Sequence, residues 1–110
     1  MILKRKNANP VTALPGITRR TLVHGPSLML VEFTLEAGRD LPIHTHPHEQ
    51  AGYIVSGRLR LNLDGASHEL GPGDSYHVLR NIPHGAFIHE TAIVVDAFTP
   101  PRQDYIDPPV

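Results

Sequence analysis

Apolar and polar side chains alternate along residues 28–36, with Met29, Val31, Phe33 and Leu35 on one face and Glu32, Thr34 and Glu36 on the other. Such a period of two marks a half-buried strand whose first set faces the core. The run from Arg58 to Leu63 repeats the pattern, its leucines inward and its arginines and asparagine outward. Shorter runs at 17–23, 52–56, 75–79, 86–90 and 92–98 complete the predicted strands. Turn residues separate them: His24 to Ser27, Gly57 between the third and fourth runs, Asp64–Gly65 as a two-residue hairpin, Gly71 to Asp74, and Asn81. Eleven prolines and nine glycines leave no room for a long helix. The pattern predicts an all-β chain of about eight short antiparallel strands, folded as a sandwich or barrel.

At 110 residues the chain is expected to be one domain, with an N-terminal segment at 1–16, a barrel at 17–99 and a C-terminal tail at 100–110. Pro100 and Pro101 end the last strand, and the tail, which has no period, is expected to cover the barrel mouth or a neighbouring subunit. Net charge is −1 and the one basic run, Lys4, Arg5, Lys6, reads as a solvated terminus, which argues against a nucleic-acid partner. No stretch approaches the roughly twenty apolar residues of a membrane span, and charges follow Ile2 and Leu3 at once, so a cytoplasmic protein with no membrane partner is expected. There is no cysteine, so disulfides, thiolate metal sites and thiol nucleophiles are excluded and any metal must be held by nitrogen and oxygen.

Eight histidines are the unusual feature of the composition. His44 and His46 are two apart, so on an extended strand both imidazoles point to one face and can grip one cation. Gln50, past the bend at Pro47, can return an oxygen to the same point, and His84 in NIPHG is the candidate fourth ligand. Glu49 is the stronger donor and His48 lies beside it, but a shift of one residue along a strand reverses the face, so Gln50 is preferred. Asp96 and Phe98 share a face of the last strand, and Arg102 follows the prolines. A carboxylate in that apolar stretch is costly unless paired or used; spacing alone leaves open a structural Asp96–Arg102 ion pair with Phe98 as plain core.

The spacing Gly38, His44, His46, Gln50, Gly57 resembles the first cupin motif, with Gln in place of the usual Glu. Gly73 to His84 is similar to the second, with Leu79, Asn81 and Ile88 at its proline, glycine and asparagine positions. The match spans about half the chain, and asparagine is the non-glycine best suited to a left-handed turn. The resemblance implies a single-domain cupin jelly-roll barrel. HTHPHEQ together with DAFTPPRQDY further resembles small cupins of the KdgF type, which convert cyclic 4,5-unsaturated monouronates to the linear keto form. That resemblance implies His44, His46, Gln50 and His84 as metal ligands and Asp96, Phe98 and Arg102 as catalytic residues: Asp96 to move the proton, Arg102 to pair with the carboxylate, Phe98 to pack against the sugar. Tyr53 and His48 are further candidate contacts.

Four neutral ligands would leave the full charge on one divalent ion, whether Ni, Zn, Mn, Fe or Cu, which favours Lewis-acid chemistry over a cycle through Fe(III) and favours a small anionic sugar acid as substrate. The competing functions are a metal-dependent cupin dioxygenase and a non-catalytic sugar-acid-binding cupin. Exposed sheet edges suggest a homodimer.

Overall fold

The computed structural model describes residues 1–106; the last four residues of the expected tail lie outside the described residues. Eight strands form, β1 (Pro10–Leu14), β2 (Ile17–His24), β3 (Met29–Leu35), β4 (Asp40–His44), β5 (Glu49–Leu63), β6 (Ala66–Leu70), β7 (Ser75–Val78) and β8 (His84–Thr99), with short 3-10 turns at Arg5–Asn7 and Gln103–Tyr105. All pairings are antiparallel. The hairpin at Asp64–Gly65 joins β5 to β6 with both residues at positive φ, and Asn81 adopts a left-handed φ of 62°.

Two predicted pairs of short strands are single long ones. Residues 52–56 and 58–63 are continuous in β5, and 86–90 and 92–98 are continuous in β8. Gly57 is not a turn but a bulge, at φ 83°, and the register against β8 shifts repeatedly between Ile54 and Leu59. The extra residue changes the parity of the inward face from Gln50, Gly52, Ile54 to Leu59, Leu61. A Cβ on Gly57 would collide with the Thr91 carbonyl oxygen of β8, so only glycine lets the two strands stay in contact through the bulge. Strands β1, β4 and β6 were not among the expected runs, β6 being implied only by the hairpin turn before it. All three are exposed at four of five positions and carry no alternation to read.

The expected jelly-roll barrel is not what forms. The hydrogen-bonded path runs β1-β2-β3-β8-β5-β6, with β4 branching from β8 and β7 from β5, and its ends do not meet. The cause lies in the two long strands. Pairing runs along nearly their whole length, from Glu49↔Thr99 to Leu63↔His84. The other edge of β8 is divided between β3 at residues 92–98 and β4 near its start, and that of β5 between β7 at 50–53 and β6 at 59–63. Among the described residues β1, β4, β6 and β7 each pair along one edge only, so the result is an open, forked all-β sheet.

The main core lies between the inner faces, with Ile54, Ile88 and Ala92 fully buried. A smaller cluster of Met29, Val31 and Phe98 is covered by Tyr105 and Ile106 of the tail. The N-terminal basic run is not wholly solvated: Arg5 ion-pairs with Glu32 at 2.8 Å, which accounts for a glutamate on β3 that is 9 % exposed. No helix among the described residues is long and apolar enough to cross a membrane.

Candidate active site

Strand β4 ends at His44, whose pairing partner across the ladder is His84 at the start of β8. The chain then turns through Thr45 and brings His46 over both, with ring centroids 5.6 Å from His44 and 4.8 Å from His84. One ligand atom from each of the three lies within 4.8 Å of the others. This cluster forms a site for a single divalent metal ion.

The donor set fits such an ion. Each Nδ1 faces a backbone carbonyl: His44 that of Pro42 at 3.0 Å, His46 that of His48 at 3.0 Å, and His84 that of Ile82 at 2.8 Å. A carbonyl only accepts, so each neutral ring carries its proton on Nδ1 and leaves the Nε2 lone pair free. This is the backbone support expected behind metal-bound imidazoles. Burial, reinforced by the Arg102 charge and His84, lowers His46 to about 4, and burial also lowers His84, so both stay neutral. His46 Nε2 sits 3.1 Å from Gln50 Oε1, two acceptors with no proton between them. A cation beside both relieves that opposition.

Gln50 is inward on β5 and buried, whereas Glu49 points outward and hydrogen-bonds His77. The Gln50 amide also hydrogen-bonds Asp96 and so holds its oxygen toward His46. Asp96 is inward on β8 at 3 % exposure. Burial raises its pKa to about 6, against the opposing effects of hydrogen bonds from Tyr76 and Gln50 and the charge of Arg102. Tyr76 donates to Asp96 Oδ1 at 2.6 Å.

Tyr76 and Gly52 were not singled out from the sequence. Gly52 is the register partner of Tyr76 on β7 and of Asp96 on β8, and a Cβ there would collide with both side chains. The missing side chain is what lets them bond across the intervening strand. The alternation of Tyr76 and Val78 with the exposed Ser75 and His77 is the one local signal that could have found an inward Tyr76, and no local signal sets β7 next to β5. Tyr53, one residue from Gly52, is half-exposed on the opposite face.

Phe98 packs edge-on to His46 at 5.9 Å, and the Arg102 guanidinium lies 5.4 Å from the Phe98 ring and 4.0 Å from that of Tyr105. The partner of Arg102 is Asp104, at 3.1 Å. His44, Gln50, Tyr76, His84, Asp96, Phe98 and Arg102 all line one cavity of about 380 Å³.

Residues 31–98 match the family model for the cupin domain. The pectin degradation protein KdgF of Dickeya dadantii (strain 3937) is 29% identical over 93 residues, covering 83% of this chain and 84% of that protein. The structure of KdgF from Halomonas sp. superposes with a TM-score of 0.91 at 31% identity, covering 96% of this chain and 98% of that one. An RmlC-like cupin from Shewanella frigidimarina NCIMB 400 also gives a TM-score of 0.91, at 30% identity over 96% of this chain and 95% of that one.

Proposed function

The chain belongs to the cupin family and is homologous to its KdgF-type members, and from that premise we propose that it converts cyclic 4,5-unsaturated monouronates to their linear keto form. The observation that carries this reading is the join between the two halves of the site: one amide, Gln50, faces a histidine of the metal cluster with its oxygen and a buried carboxyl, Asp96, with its nitrogen. The likeness to a protein of pectin degradation supports the substrate class.

A divalent ion held by His44, His46, His84 and Gln50 would supply Lewis-acid polarisation of substrate oxygens. Asp96, one oxygen of which is fixed by Tyr76, accepts the proton of the hemiacetal hydroxyl as the ring C–O bond breaks, and the aldehyde and an enolate result, the ring oxygen keeping the bonding pair. It then returns that proton to the carbon end of the enolate, which becomes the ketone, so the reaction is an isomerisation with no net proton. A pKa of about 6 suits a group that must both take and give a proton near neutrality. Arg102 offers its planar fork to the uronate carboxylate in exchange for Asp104, and Phe98, 1 % exposed, keeps water from the reacting carbons.

Loss of the enol absorbance of a lyase-generated unsaturated uronate measures turnover. Asp96→Asn is expected to keep its metal by elemental analysis and to lose turnover by at least about a hundredfold, the contribution of a positioned acid–base group. A variant at wild-type rate removes Asp96 from the chemistry. Consumption of oxygen by the iron-loaded protein would instead favour a dioxygenase. The chain is further read as a cytoplasmic homodimer, a state supported by its one-sided strands and the half-exposed Tyr53 and Val55 on β5. Light scattering at the 12.1 kDa of one chain would remove the dimer.

A further inference from the structure

The cavity continues beyond its polar groups. Its volume of about 380 Å³ falls in the range of about 300–1,000 Å³ of pockets that enclose drug-sized ligands, more than a six-carbon acid fills. The polar side chains gather near the two ends of β8, at His84 and at Asp96, where His46 bridges to both His84 and Phe98. Another part of the wall, contributed by β3, β4, β5 and β8, is different: Leu35, Leu41, Leu59, Leu61, Ala86 and Val94 carry no polar side-chain atom. The cavity then reaches Ala13 and Leu14 of β1 and Pro42 of β4, all exposed. This is the seam that stays unzipped, because β1 pairs only with β2 and β4 only with β8. A sugar hydroxyl placed along that wall would give up its water for no partner, whereas a hydrocarbon gains there.

We propose that this apolar compartment binds the hydrocarbon tail of a small 2-oxo acid, whose carboxylate and neighbouring oxygen occupy the histidine and arginine end and whose tail runs toward the seam between β1 and β4. The inference rests on reading the polar end as a metal and carboxylate site, and goes beyond uronate ring opening because a monouronate has no such tail.

Calorimetric titration of the zinc-loaded full chain with pyruvate, 2-oxobutyrate, 2-oxopentanoate, 2-oxohexanoate and 2-oxooctanoate tests it. Affinity is expected to rise about fourfold per methylene until the tail reaches the seam, with an increasingly negative heat-capacity change. Two substitutions fill the compartment at different depths: Ala86→Leu in its wall, and Ala13→Trp at its exposed mouth on an edge strand, where folding is not at stake. Each is expected to reduce the ratio of 2-oxooctanoate to pyruvate affinity by at least about tenfold. Affinity that is flat across the series, or a chain-length gain untouched by both substitutions, overturns the proposal. If uronate turnover persists while the series is flat, this inference alone falls. If pyruvate itself fails to bind, the reading of the polar end falls with it.

Discussion

Gln50 and Glu49 are adjacent in sequence and opposite in space, one facing His46 and the other His77. Strand parity made that separation legible from the sequence. Gln50→Ala is therefore expected to lower the metal content of the purified protein more than Glu49→Ala does, and the reverse order in elemental analysis would reassign the ligand. Charge at Asp96 has a signature of its own in the metal-free protein. Its pKa rises from 3.8 to about 6 on folding, so the native state holds the proton more tightly than the unfolded chain. The stability this contributes is complete below about pH 3.8 and is lost as pH rises through 6, by about 3 kcal/mol at about 1.4 kcal/mol per unit. His46 runs the other way: lowered from 6.5 to about 4, it contributes stability that is complete above pH 6.5 and lost as pH falls toward 4. Comparing wild type with Asp96→Asn cancels the histidine effect. Urea denaturation should show the difference between the two shifting by about 2 kcal/mol in favour of the variant from pH 4 to pH 7, most of the full change, and a difference independent of pH would contradict a buried, shifted Asp96. What single positions could not disclose was Tyr76, because its partner is reached only across a glycine on a third strand.

Elements were legible where one face is buried and the other wet. The inward set Met29, Val31, Leu35 on β3 and Leu59, Leu61 on β5 followed directly from alternation. Alternation is silent at β1, β4 and β6, which are exposed and have nothing to alternate, and Gly57, a residue suited to a turn, serves a bulge instead. That distinction is measurable. Gly57→Ala must place a side chain at φ 83° and against the Thr91 carbonyl, and is expected to destabilise the fold by about 2–4 kcal/mol in urea denaturation. Gly25, with open space around it, is the control: Gly25→Ala is expected to change stability by less than about 1 kcal/mol.

At the scale of the whole molecule, the metal cluster ties β4, the following loop and β8 to one point, so an ion that binds only the native arrangement stabilises all of it. With zinc at a hundred times its dissociation constant the gain is about 2.7 kcal/mol, reversed by chelator and absent in His84→Ala; thermal unfolding unaffected by zinc would deny the site. The failure of the sheet to close was beyond the reach of sequence, since closure depends on which edges meet and the spacing of ligands is the same either way. Its consequence concerns motion. The central pair β5 and β8 is hydrogen-bonded to itself from end to end, while β1, β4 and β7, which also line the cavity, hold on by one edge apiece. Such a molecule can breathe at its rim without unfastening its spine, admitting a guest through local opening while amides of the central pair exchange with deuterium only when the entire chain unfolds.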